Sequence, residues 1–419
     1  MGNFVSQHVL IPKFTIPDVS GITFGGFMID KYPCSQPNAR PDQGSPDVAH
    51  SGAVGSVPAI SRPGVPVWDY ITFPQAMIAC CNRGKGWHLV SAFEWASLAF
   101  LAKKLGTQPH GGNANTDPPS DAEYTSEIAL IDKHLKGENA SYNRALPGTG
   151  PNTWAHNHLA SGVFDLQGLV WQWVLLMMAI TSGYPYVPAN LDVSYAGSPY
   201  GRGTISGSGG ATPTLTCDGA GINWLKAWGI DEFNTHYLYI AEANALYTIA
   251  DTTATTIVLS NGDNPGNGAA TFCAFKLIAT DITAGMTSGN KILTLRDADA
   301  NLKGFALPAT SDAAGATTYG KDGYWFDKSG LRAALRGGNF DNGVYAGVFA
   351  LRLNDAASNS YCSIGCRAAK TGIPSARSAR YGTWSQCACL WNCDPYRMVK
   401  YKKRGCVSGR LRMRCSPLF

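Results

Sequence analysis

The side chains able to do chemistry are few and scattered through this sequence. Twelve cysteines stand among 419 residues, and five of them (Cys387, Cys389, Cys393, Cys406, Cys415) lie in the last 49. Their C-x-C-x3-C opening lacks the paired spacing of zinc sites, and no histidine lies nearby. Cys80 and Cys81 sit in PQAMIACCNRGKGW, where apolar residues at helical spacing predict small core-facing side chains rather than a redox or metal pair. His156 and His158 in WAHNH form an H-x-H without an identifiable Asp, Glu or Cys partner, and read as loop histidines. The phrase from Asn261 to Gly268 lacks the spaced carboxylates and closing Glu of a calcium loop and reads as a solvated turn. No G-x-x-x-x-G-K-[ST], G-x-S-x-G or H-E-x-x-H occurs. The expectation is no metal and no cofactor.

Composition narrows the class further. With 45% hydrophobic, 15% charged and 11% aromatic residues the chain is globular, and 47 Gly with 24 Pro predict many loops and short elements. Disorder, a coiled coil and a helical bundle are excluded. The net charge of +5 is a property of the end: residues 371–419 carry ten Lys and Arg against one acidic residue, leaving the rest at −4. A nucleic-acid surface would need a basic, aromatic-interleaved face on the body, so no nucleic-acid partner is expected. The longest apolar run, Leu169 to Ile180, is broken by Gln172 and falls short of the roughly 20 residues of a membrane helix. No membrane insertion is expected. The N-terminus lacks a basic region followed by an apolar stretch, which argues against a secretory signal, and Met1-Gly2 with Ser6 fits a myristoylation pattern only loosely.

The elements that would position these residues can be sketched. Phe24 to Cys34 reads as a strand, and Pro37 to Pro66 as a long loop. Thr72 to Asn82 reads as a helix capped by Thr72. Ser91-x-x-Glu94 is a capping box opening a second helix that stops at Gly106. Gly111 to Pro151 is polar surface loop with a short helical phrase at Glu123 to Leu135. An apolar strand follows from Val163 to Met178. From 195 to 307, short β-like runs such as TTIVLS and NKILTLRD alternate with turn phrases, predicting a β-rich insertion.

Three stretches, in order, resemble the formylglycine-generating-enzyme (sulfatase-modifying factor) branch of the C-type lectin fold. They are FMIDKYPC (Phe27 to Cys34) with the helix phrases from Ile71 to Ala99; GVFDLQGLVWQWV within Gly148 to Val174; and YGKDGYWFDKSGLRAALRGGNFDNG (Tyr319 to Gly343) closed by IGCRAA (Ile364 to Ala369). The resemblance implies an α+β C-type lectin fold. Trp171, Trp173, Trp325 and the Gly337-Gly338 pair then read as scaffold. In the enzymes of that family, copper-binding cysteines follow the R-G-G segment at offsets that fall on Asn342 and Gly347 here, and neither is Cys. Thiolates are needed both to bind Cu(I) and to exchange with a substrate cysteine, so the oxidase reading is the alternative rather than the expectation. Leu169 and Gln172 also stand where the family usually has Asn and Glu.

Arg336 to Ala369 is more similar to the variable region of ligand-binding proteins diversified by diversity-generating retroelements, with AGVFAL (Ala346 to Leu351) nearly verbatim. Those elements mutate template adenines, so diversified codons end in a pyrimidine and cannot encode Lys, Glu, Gln, Met or Trp. All five are missing from Asn339 to Ser363. The resemblance implies variable, ligand-binding positions at Phe340, Asp341, Val344, Tyr345, Arg352, Asn354, Asp355, Ala357, Asn359, Tyr361, Cys362 and Ser363. Gly337, Gly338, Gly347, Phe349, Leu351, Leu353, Ile364 and Gly365 would be framework. Alternation along a strand puts Phe349, Leu351 and Leu353 toward the core and Arg352 outward. The mixture of aromatic, charged and small groups resembles an antibody paratope.

The expected organisation is therefore an α+β C-type lectin fold in two parts (1–194 and 308–370, with the variable region 336–369), a β-rich insertion (195–307) and a basic, Cys-containing tail (371–419). The expected function is non-enzymatic, receptor-type binding to a surface protein or glycan of a host or neighbouring cell. It implies display on a virion or cell surface and is compatible with an oligomer. A purely structural virion or surface protein is the remaining alternative.

Overall fold

The two phrases that read as helix starts do start helices. The Thr72 hydroxyl accepts from the Gln75 N–H while Gln75 takes the Thr72 N–H, capping Phe73–Cys81 with Pro74 in its first turn. Ser91 and Glu94 do the same for Ala92–Leu105, which ends where Gly106 adopts φ 67°. In the Glu123 to Leu135 phrase the helix is displaced to Lys133–Glu138, because Asp132 supplies the cap to the His134 and Leu135 N–H groups. The computed structural model describes residues 6–41, 54–179, 181–188, 200–218, 236–253 and 255–371, so the tail with its five cysteines lies outside the described residues. No helix among those described is long and apolar enough to cross a membrane.

The α+β class expected above is overturned: among the described residues strand accounts for 35% and helix for 12%, and the strands include a closed six-stranded barrel. The ring runs through His236–Ile240, Ala245–Thr252, Thr256–Leu259, Thr214–Cys217, Tyr200–Ser206 and Gly268–Leu277, and closes because the last strand pairs back onto the first. Leu238 and Ala274 are direct partners in that closing ladder. Inward residues at alternate positions, among them Ile205, Leu215, Leu238, Ile249, Ile257 and Phe272, fill the interior. Closure removes the free edges that short isolated strands would leave. The β-like runs of residues 195–307 thus build the barrel and continue into the same sheet as Trp171–Met178 and Gly347–Asp355, rather than standing apart as an appendage to a helix-bearing fold.

Gly268–Leu277 also extends the barrel into an open sheet. Its neighbours, in order, are Pro185–Pro188, Trp171–Met178, Arg332–Gly337, Gly347–Asp355, Gly323–Phe326, Asn290–Leu295 and Pro308–Asp312, with Ile364–Cys366 pairing parallel to Trp171–Met178. Every residue of Trp171–Met178 is buried. Trp171, Trp173, Leu175 and Met177 face a core shared with Phe73, Ala76 and Cys80 of the first helix. Val174, Leu176 and Met178 face one shared with Trp95, Ala99 and Phe100 of the second. Cover on both faces is why this strand reads as a continuous apolar run. It begins at Trp171 rather than Val163 because Asp165 and Leu169 hold positive φ, 57° and 59°. A second sheet, His8–Ile11, Phe27–Asp30, Ala368–Lys370 and Trp87–Leu89, joins the early and late parts of the described chain.

Candidate functional site

The segment from Arg336 to Ala369 is held from beneath by buried polar clips. Trp95 Nε1 donates to the Val348 carbonyl (2.8 Å), and Asp322 Oδ2 accepts from the Phe349 N–H (2.7 Å). Arg336, fully buried, donates to the carbonyls of Phe349 (3.0 Å), Phe305 (2.8 Å) and Ala306 (3.1 Å), so the arginine of R-G-G is a structural clip. Burial pushes the Asp322 carboxyl well above the usual carboxylate range, against the pull of the backbone N–H groups it accepts from. Gly337 has φ 94°, and a Cβ there would stand 2.8 Å from the Leu166 carbonyl oxygen, which restricts the position to glycine. Phe349, Leu351 and Leu353 are buried in the core while Arg352 and Asn354 alternate outward.

Eight of the twelve positions reach solvent: Asp341, Val344, Tyr345, Arg352, Asn354, Asn359, Tyr361 and Ser363. Tyr361 is 47% exposed, Val344 39% and Tyr345 38%. The other four are inside. Phe340 and Cys362 pack with Leu135 beneath Tyr70 and Tyr142. Ala357 sits in the core by Phe73 and accepts that residue's N–H at its carbonyl (3.0 Å). Asp355 is buried but engaged: Arg352 Nε lies 2.6 Å from its Oδ2, and Asn359 Nδ2 donates to its Oδ1 (3.0 Å). That brace, with Arg352 Nε donating to Asn354 Oδ1 (2.7 Å), orients the guanidinium.

The outward side chains continue into a row of rings and cations. The Arg352 guanidinium lies 5.8 Å from the Trp171 ring, Trp171 meets Trp325 edge-on at 5.4 Å, Trp325 lies 6.1 Å from Tyr345, and Lys291 Nζ stands 4.6 Å over Tyr345. Parallel pairing of Trp325 with Arg352 sets the first part of this row. Trp171 is buried beneath this row, so Trp325, Tyr345, Arg352 and Lys291 are what it offers to a partner surface: flat apolar area and cation–π contacts. Trp171 and Trp325 read as scaffold from sequence, and Lys291 carried no signal, because only the sheet register brings 291 beside 345.

The remaining sequence candidates do not converge. His156 is buried, its Nδ1 accepts from the Val163 N–H (2.9 Å), and burial pushes its pKa down to about 4. His158 Nε2 lies 2.9 Å from the Gln108 carbonyl oxygen. Asn342 Oδ1 accepts from the Asn339 N–H, and Gly347 lies against Asp322, so the positions implied for copper ligands offer no thiol and do not fit that ion. By contrast, Cys34, Cys80 and Cys366, which no sequence spacing singled out, bring three buried sulfurs within 4.8 Å of one another.

His156 carries a pH prediction. Its folded pKa of about 4 lies below the ordinary 6.5, so the unfolded chain takes up the proton first. The stability contributed by the neutral ring is complete above pH 6.5 and is lost as pH falls toward 4. Denaturant melts across that window should show a loss of a few kcal/mol in the wild type, and a shallower one in His156→Gln. Equal slopes for the two proteins would remove the account. Compared with known proteins, the chain matches no family model and no curated protein sequence.

Proposed function

We propose that this chain is a ligand-binding protein whose segment 336–369 is diversified by a retroelement, its replaceable side chains docking on a surface protein or glycan of a host or neighbouring cell. One observation carries the reading: framework residues of the segment are buried and clipped, while Asp341, Val344, Tyr345, Arg352, Asn354, Asn359 and Tyr361 emerge beside a Trp, Tyr and cation row. Side chains can change at the surface without disturbing the clips, since those clips run through Trp95, Asp322 and Arg336, none of which is among the exchanged positions. The absence of Lys, Glu, Gln, Met and Trp from Asn339 to Ser363 supports the same reading.

Sequencing the 3′ part of the gene across a population tests it. The expected result is substitution at the twelve positions, free at the eight outward ones and restricted to compact side chains at Phe340, Asp355, Ala357 and Cys362, beside a near-repeat and a reverse transcriptase gene. An invariant segment without such neighbours would overturn the proposal. Binding then has a direct probe. Replacing Val344, Tyr345 and Tyr361 together with Ser should abolish capture of the target while leaving the melting temperature within a few degrees, since exposed substitutions change stability little.

A further inference from the structure

We propose that Cys34, Cys80 and Cys366 form a structural zinc site independent of the binding face. The three come from separate elements: the short strand Cys34–Ser35, the helix Phe73–Cys81 and the strand Ile364–Cys366. All three are fully buried, and their sulfurs lie within 4.8 Å of one another. A tetrahedral zinc with Zn–S bonds of about 2.3 Å sets its sulfurs about 3.8 Å apart, so a shift of about an ångström closes the set. Three soft donors on a rigid core are the ligand type that a d10 thiophilic ion takes and that magnesium or calcium does not.

The surroundings supply the rest of a structural site. Cys34 Sγ lies 3.4 Å from Asp30 Oδ2, the separation expected between a thiolate and a carboxylate oxygen on one tetrahedral ion, which makes Asp30 the nearest oxygen donor for a fourth position. Arg83 holds that carboxylate through Nη1 at 2.6 and 2.7 Å, and the Ala368 N–H donates to it at 3.1 Å, an outer shell that fixes its orientation. Charge selects the ion. Three thiolates and the Asp30 carboxylate, with the Arg83 guanidinium paired to it, leave one net negative charge around a divalent metal and two around a monovalent one, and the smaller excess is easier to bury. Binding displaces the three thiol protons to solvent. The bound ion would join the short strand Cys34–Ser35, the first helix and the strand beside Trp171–Met178 at one point.

The test uses the full chain purified without chelator. Elemental analysis should give one zinc per chain, and Co(II) exchanged into the protein should show the thiolate-to-metal charge-transfer absorption of a tetrahedral thiolate site. Cys80→Ser and Cys366→Ser should each remove the metal. Cys273→Ser, at a buried cysteine outside the cluster, should keep it, as should a variant with all five tail cysteines changed to Ser. A zinc-free protein that gives no Co(II) absorption when the ion is added overturns the proposal. Metal that leaves with the tail cysteines overturns it too, as does a disulfide between any two of the three on a non-reducing peptide map. If the cysteine variants fail to fold, the wild-type Co(II) spectrum and peptide map still decide.

Discussion

Replacing Arg144 with methionine should lower stability by about 3–5 kcal/mol, the range for breaking a buried ion pair from one side. The guanidinium is fully buried. Nη1 lies 2.6 Å from Asp69 Oδ2, Nη2 lies 2.8 Å from Asp132 Oδ2, and Nη1 also donates to the Cys362 carbonyl. Methionine fills much of the volume but leaves two carboxylates buried without their cation. It also frees the carbonyl of Cys362, between Tyr361 and Ser363 of the proposed binding face, so hydrogen exchange should rise in Tyr361 to Ile364 before global unfolding. Denaturant titration checks the first effect. The triple variant with Asp69→Asn and Asp132→Asn separates charge from packing, since an asparagine side chain at the second of these positions can still cap Lys133–Glu138. It should recover a substantial part of the loss. A single-variant loss under about 1 kcal/mol would mean that the carboxylates find other partners and that Arg144 does not hold this loop.

Arg144 also shows where sequence reading stopped. Helix starts are local, and Thr72, Ser91 with Glu94, and Gly106 announce themselves within a turn of the helix ends they set. The alternation of Phe349, Leu351 and Leu353 against Arg352 is equally local, and the strand follows it. Fold class is not local. The barrel exists because His236–Ile240 pairs with Gly268–Leu277, and nothing in either run names the other as its partner, so the strands read as an insertion and the α+β class did not survive. Burial inside segment 336–369 has the same origin. Phe340 and Cys362 are covered by Leu135, from a far earlier part of the chain, and Asp355 is drawn inward by Arg352 and Asn359 although its residue type suggests solvent. The three-cysteine cluster was invisible for that reason too: positions 34, 80 and 366 form no spacing motif, and Cys80 in an apolar helix reads as core, which it also is.

Gly347→Ala should be strongly destabilising although it adds a single methyl group to segment 336–369. The glycine does not hold a left-handed conformation, so backbone strain is not the cause. The obstacle is Asp322, because a Cβ at 347 would lie 1.9 Å from its Oδ1 and 2.1 Å from its Oδ2. That carboxylate is buried and accepts the Phe349 N–H, so it cannot swing to solvent without abandoning a buried donor. Overpacking and the lost hydrogen bond together set an expected loss of ~2–5 kcal/mol. A double-mutant cycle identifies the cause: in an Asp322→Ala background the collision is gone, and Gly347→Ala should then have little further effect. Additive losses would place the strain elsewhere, and a loss under about 0.5 kcal/mol would show that the carboxylate has room to move. Position 347 is also one of the two offsets at which the formylglycine-generating enzymes carry a copper-binding cysteine. Any side chain there begins with the same Cβ, so a thiol at 347 would require Asp322 to be gone as well. In this chain that carboxyl holds the Phe349 N–H and with it the strand Gly347–Asp355, so a side chain at 347 and the Asp322 clip compete for one space.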